Sequence, residues 1–210
     1  MPTLFTPLET RPGETRVAAS PETVKALVKL GLTVEIEPGA GLRAGFTDAM
    51  YTAAGAKLGS AASWASANIV AKIGAPTEAE AGKLAAGAVL VSFITPSTNK
   101  AAVQVLRERK VSTLAMELIP RITRAQAMDA LSSQATIAGY KAVLLGATHM
   151  AKLCPLLMTA AGTVPPAKCV VFGAGVAVLQ AIATAKRLCC TVDATAVRLA
   201  PRGSLPALPA

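Results

Sequence analysis

Histidine occurs once, aromatic side chains make up 3% of the 210 residues and charged side chains 16%. Each scarcity narrows what the chain can do. The lone imidazole, His149, has no acid within sequence reach to orient it, so a histidine-centred acid–base pair is not on offer. The formal net charge of +9 would suit an anionic ligand or an acidic partner. The basic residues are scattered, however, and without aromatics there is no stacking platform, so no nucleic-acid partner is expected. No apolar run reaches the roughly 18 residues that span a bilayer as a helix, which argues against direct membrane insertion. The opening "MPTLFTPLETRPGETR" carries an early acid and no apolar stretch of signal-peptide length, so it is read as neither a secretion signal nor a transit peptide. Cys154, Cys169, Cys189 and Cys190 lack metal-ligand spacing, and no metal is expected; they read as reduced thiols of an intracellular protein.

The hydrophobic fraction is 52%, ample for a core. Ser20-Pro21 places an N-cap and a first-turn proline before "ETVKALVKL", whose Val24, Leu27 and Val28 recur at helical spacing until Gly31. "LTVEIEPGAG" then alternates as a strand into a turn. Along the next stretch "DAMYTAAGAKL" reads as helix, "ANIVAKI" as strand, "EAEAGKLA" as helix, "AVLVSFI" as a buried strand, "KAAVQVLRERK" as helix and "VSTLAME" as strand. Strands separated by helices of this length imply a doubly wound parallel sheet covered on both faces. Residues 1–118 are therefore expected to form an N-terminal α/β domain of Rossmann-like type. "SSQATIAGYKAVLLGATHMAKL" reads as a long connecting helix, and "TAAGTVPPAK" breaks the pattern.

"CVVFGAGVAVLQAIATAKRL" opens a second unit, with a strand running into Gly173-Ala174-Gly175 and then a helix. In that context the glycines serve a tight turn and a close approach to a pyrophosphate at the helix N-terminus; a plain glycine-rich turn without ligand is the alternative. The third position of the pattern is Val178, whose branched side chain should push helix and strand apart. Asp193 stands about 20 residues on, where an acid can meet the ribose. After a strand at 191–194 no further strand–helix pair follows, so the second nucleotide fold, 166–198, is expected to be incomplete and 199–210 to be an irregular tail.

The most concentrated polar chemistry lies in "PRITRAQAMDALSSQATIAGYKAV". Together with "GETRVAASPETV", "VSFI", "TAAGTVPPAK" and "FGAGVAVLQAIATAKRL", it makes residues 10–198 resemble the NAD(H)-binding alpha component of proton-translocating NAD(P)+ transhydrogenase, within the alanine dehydrogenase/transhydrogenase family. The resemblance implies that 119–165 carries a loop closing over nicotinamide, plus the connecting helix. In it Arg121 would hold the carboxamide and phosphate side, Gln126 would lie against the dihydronicotinamide and the partner component, and Asp129 and Ser132 would hydrogen-bond the carboxamide. Read from the residues alone, Asp129 and the serines can equally be caps of a helix start. Dinucleotide contacts would fall on Gly173, Gly175, Val176, Val197 and Arg198.

The family pattern has Asp where Ala196 stands, and Gly where Val178 and Cys189 stand. By the resemblance the cofactor is NAD, with NADP on a partner component and a further membrane component. The implied reaction is direct hydride transfer coupled to proton translocation in the full complex. A homodimer is also implied, peripheral on the cytoplasmic face of a bacterial inner membrane or on the matrix side of the mitochondrial inner membrane. Two other readings compete. An alanine-dehydrogenase-like enzyme would place its substrate-binding arginine and lysine on Arg16 and Lys72 and its catalytic histidine near Thr95; a truncated, non-catalytic chain would act only through interaction.

Overall fold

In the computed structural model, which describes residues 1–173 and 175–195, the chain divides into the units Met1–Met128 and Asp129–Ala210. The first holds six strands, β1 (Thr3–Thr6), β2 (Thr33–Ile36), β3 (Lys57–Leu58), β4 (Ile69–Ala71), β5 (Val89–Ser92) and β6 (Ser112–Ala115), with helices α1 (Pro21–Lys29), α2 (Asp48–Ala53), α3 (Ser63–Ser66), α4 (Glu78–Lys83) and α5 (Lys100–Glu108) between them. All strands pair in parallel, in the order β3-β2-β1-β4-β5-β6. This is the doubly wound order, whose direction reverses between β1 and β4.

Period-2 alternation sorts the strand residues into two apolar layers. Leu4, Val34 and Ile36 pack on one face with Val24 of α1 and Tyr51 and Ala54 of α2. Phe5, Val70 and Leu90 pack on the other with Trp64, Ala81, Leu84 and Leu106. The Ser20 side chain accepts from the Thr23 N–H and so caps α1, as its sequence position implied. Two elements of this unit lie outside the sequence-based expectation: the short helix α3 falls where none was read, and β3 sits in a stretch read as helix. Gly55, with φ +97°, follows the C-cap Ala54 and ends α2 before Lys57.

The second unit holds α6 (Ala130–His149), an antiparallel hairpin of β7 (Leu157–Thr159) and β8 (Gly162–Val164), and a parallel pair of β9 (Lys168–Phe172) and β10 (Thr191–Thr195) joined by α7 (Val176–Arg187). The hairpin occupies the stretch expected to be patternless; the Thr159 hydroxyl, hydrogen-bonded to Gly162 O and to Ala161 N, closes its turn. β9, α7 and β10 form a single βαβ unit. α7 buries Ala181, Ile182, Thr184 and Ala185 and packs closely on α6. The second fold is thus short among the described residues. No described helix is long and apolar enough to cross a membrane.

Candidate functional site

The polar motif begins in the first unit. Ile122 N–H donates to Pro120 O and Ala125 N–H to Ile122 O, which tightens the chain into a 3-10 turn over Thr123–Met128. Only Ala125 of that turn is buried, so it anchors the segment while Arg121 and Gln126 stand on the surface. At the start of the second unit Asp129 is the N-cap of α6: its carboxylate accepts from the Ser132 N–H at 2.9 Å and from the Ser132 hydroxyl at 2.6 Å. The Ser133 hydroxyl donates to Asp129 O at 3.1 Å. The structure thus brings Asp129 and Ser132 together through capping chemistry. The Ser132 hydroxyl donates to Asp129, and its oxygen has two lone-pair positions with which to accept from an amide.

The glycine turn has the geometry its sequence context demanded. Gly173 follows β9 with φ +116°, which a side chain resists, and its N–H donates to Thr195 O at 2.7 Å. A Cβ on Gly173 would lie 3.2 Å from the Val178 methyl, so the glycine makes room for the valine. This explains why α7 still packs on β9 and β10 with a branched residue at that position. Gly175 is the N-cap of α7, with no side-chain cap bond, and a Cβ there would meet nothing within 4 Å. Open space and uncapped helical N–H groups at one point are the setting in which an anion is received. Val176 follows and is half-exposed. Val197 and Arg198, with Ala196, lie outside the described residues.

Asp193, which counting placed at the ribose, instead pairs with Lys168 at 2.6 Å on the exposed face of the β9–β10 pair, and this pairing raises the lysine's pKa. Cys154, Cys169 and Cys190 line an apolar cavity of about 300 Å³ in the same unit. Burial, followed by the neighbouring Cys154 thiol, pushes the Cys190 thiol up to about 11, so it is held as the unreactive thiol at neutral pH. All four cysteines are free, and no group of metal-ligating side chains occurs among the described residues.

The residues expected of an alanine-dehydrogenase-like enzyme are otherwise engaged. In open α/β sheets a ligand is received where the strand order reverses, beyond the carboxyl ends of the strands. Here that point, after β1 and β4, is filled by a buried ion cluster. The Lys72 ammonium is 3.1 Å from both Glu80 carboxylate oxygens and 3.8 Å from Glu9, and it lies 5.7 Å from the centre of the Trp64 ring. Glu9 also accepts from the N–H groups of Ile73 and Gly74. Glu80 closes a capping box with Thr77 at the start of α4. Lys72 falls within the stretch "ANIVAKI" read as a strand, a reading that assigned it no partner. The Thr77-x-x-Glu80 pattern was the legible signal for that partner, whereas Glu9 gave none.

Arg16 is paired with Glu14, its guanidinium donating at 2.7 and 2.8 Å. Thr95 has a positive φ of 47°, and its N–H, like that of Ile94, donates to Glu117. His149 ends α6 and is exposed.

The Arg16 hydrogen bonds hold the Glu14 carboxyl near about 2, below its ordinary 4.5. Because the folded-state value is the lower one, this contribution to stability is complete above the ordinary carboxylate range and is lost as pH falls from 4.5 towards 2. Denaturation of the wild type and of Arg16→Met across that range should therefore show a stability difference that is flat above about pH 5.5 and shrinks on acidification. A difference that grows on acidification would contradict the pairing.

Comparison with known proteins also divides the chain in two, with the boundary inside α6. The family model described as Alanine dehydrogenase/PNT, N-terminal domain, matches residues 5–138, and that described as Alanine dehydrogenase/PNT, C-terminal domain, matches residues 142–208. An NAD(P) transhydrogenase subunit alpha polypeptide of Rhodospirillum rubrum is 52% identical over 209 residues, covering 96% of this chain and 54% of that polypeptide. Alanine dehydrogenase of Mycobacterium tuberculosis is 34% identical over 191 residues, covering 89% of this chain and 51% of that protein. The crystal structure of transhydrogenase from Sinorhizobium meliloti superposes with a TM-score of 0.94 at 46% identity, covering 97% of this chain and 61% of that one. The chain spans about half the length of these curated relatives.

Proposed function

Because the chain belongs to the alanine dehydrogenase/PNT family, we propose that it serves as the NAD(H)-binding component of an NAD(P)+ transhydrogenase. The observation that carries this reading over an alanine dehydrogenase is the ion cluster at the switch point of the first sheet. Lys72, whose ammonium is taken up by Glu80 and Glu9, has no charge to spare for a substrate carboxylate. Thr95, where that enzyme would need a histidine, cannot exchange a proton at neutral pH.

The residues present fit a dinucleotide. Gly173, Gly175 and Val176 would receive the pyrophosphate at the uncapped N-terminus of α7, with Val197 and Arg198 completing the ribose side. Arg121 would hold the carboxamide and phosphate side, Asp129 and Ser132 would accept hydrogen bonds from the carboxamide, and Gln126 would face the ring and the partner component. When bound, NAD(H) supplies the hydride chemistry. This chain's role is to bind, orient and exclude water, and proximity of that kind requires no general acid or base of its own. The NADP(H)-binding component, the membrane component that moves protons, a second copy of this chain and a peripheral place on the cytoplasmic or matrix face of the membrane belong to the same proposal.

The test is calorimetric titration of the 210-residue chain with NADH, followed by hydride exchange with a separately added NADP(H)-binding component. Saturable binding and exchange are expected; pyruvate-dependent NADH oxidation would replace this reading with alanine dehydrogenase, and neither binding nor exchange would leave an interaction-only chain. A sharper expectation attaches to Gly175. Its φ of −82° and the open space around it accept an alanine, so Gly175→Ala should leave the melting temperature within a degree or two while weakening NADH about three- to tenfold. An unchanged affinity would remove the phosphate from this turn.

A further inference from the structure

Gly139 is the only described residue of α6 that is buried, and it is a glycine in the middle of a 20-residue helix, where alanine would be favoured by about 1 kcal/mol. The cost has a local reason. A Cβ on Gly139 would overlap the Ala177 carbonyl oxygen and lie 2.8 Å from its carbonyl carbon and 3.0 Å from its Cα. Ala177 is the second residue of α7, two positions past the Gly175 N-cap. The first turn of α7 therefore rests directly on the backbone of α6 at Gly139, and the depth of that contact helps to set where the α7 N-terminus and the Gly173–Gly175 turn stand.

Ser132 and Gly139 are seven residues apart on α6, nearly two full turns, so they share one face about 10 Å apart along the axis. At one end of that interval are the acceptor groups of Asp129 and Ser132, fixed to each other by the cap. At the other end is the phosphate turn. Building on the NAD(H) reading above, we infer that Gly139 is a positioning residue which fixes the separation between the carboxamide acceptors and the phosphate turn, so that one dinucleotide can engage both. α6 acts as a spacer within the second unit. Two subsites joined by one ligand reinforce each other only when their spacing matches the ligand.

The test compares two probes, NADH and ADP-ribose, on the full chain. ADP-ribose lacks the nicotinamide and can follow a displaced phosphate turn; NADH cannot without leaving the α6 acceptors. Gly139→Ala should weaken NADH about tenfold and ADP-ribose by less than about threefold, with circular dichroism confirming a folded protein. Gly146→Ala, on the same helix where a Cβ would meet nothing within 4 Å, should change neither. Equal losses for both ligands, or no loss for either, would overturn the spacer role. If the wild type binds no NADH, the functional reading fails and this inference with it; if the wild type binds and Gly139→Ala binds as well, the inference fails alone. Should Gly139→Ala not fold, hydrogen exchange of the wild type decides. NADH is expected to slow exchange at the starts of both α6 and α7, and ADP-ribose only at α7. Protection of α7 alone by NADH would overturn the inference.

Discussion

Replacing Lys72 with alanine should cost the first unit about 3–5 kcal/mol, the range found when one partner of a buried charge pair is removed. Lys72 and Glu9 are 5% and 3% exposed and Glu80 8%, so deleting the ammonium leaves two carboxylates with no water to take its place. The loss reaches beyond the pair. Glu80 also holds the first turn of α4 through its capping box, and Glu9 holds the backbone at Ile73 and Gly74, so an uncompensated charge strains the chain on both sides of β4. Urea unfolding followed by the fluorescence of Trp64, the single tryptophan, reports on this cluster directly, because its ring lies beside the Lys72 ammonium. The triple variant Lys72→Met with Glu9→Gln and Glu80→Gln should recover some of the loss, since neutral amides are cheaper to bury than unpaired carboxylates. A single Lys72→Ala cost below about 1 kcal/mol would mean that water reaches the cluster and that the switch point is open to a ligand after all.

Arg121→Ala should weaken NADH roughly ten- to a hundredfold, the equivalent of losing a hydrogen bond to a charged group, at about 1.5–3 kcal/mol. Arg121 is exposed and precedes the 3-10 turn that Ala125 anchors, so the fold should tolerate its loss and the melting temperature should barely move. Gln126→Ala provides the contrast. On the proposed reading Gln126 faces the ring and the partner component, so NADH affinity should stay within about threefold while hydride exchange with the NADP(H)-binding component falls. Calorimetry and exchange rates on the same two proteins separate the roles. Equal effects of the two substitutions on NADH affinity would dissolve the distinction between a residue that holds the dinucleotide and one that presents it.

The sheet order was legible because short apolar runs separated by helical spacing leave a parallel, doubly covered sheet as the economical solution. Two smaller elements of the first unit were not. α3 is a single four-residue turn of helix, and β3 is two residues whose pairing with β2 comes from the register of neighbours rather than from any propensity of Lys57-Leu58. The glycine turn was legible as a motif, yet the consequence assigned to Val178 was not, because it depended on Gly173 offering the missing volume across the turn.

Asp129 shows the same division. The sequence allowed it to be either a helix cap or a carboxamide acceptor; the structure shows the cap, with both carboxylate oxygens engaged by Ser132.

What the sequence by itself determined is most of the elements of the first unit, the parallel arrangement of its sheet and the identity of the polar motif, which follow from local period, capping and turn chemistry. Only the tertiary structure decided which charges cancel and which backbones touch. Lys72 and Glu9 are 63 residues apart in the chain, and Gly139 and Ala177 are 38 apart. Their meeting depends on the order in which strands and helices pack, which no local pattern encodes. Those two long-range contacts disfavour a carboxylate substrate at the first sheet and fix the spacing on which the dinucleotide reading of the second unit depends.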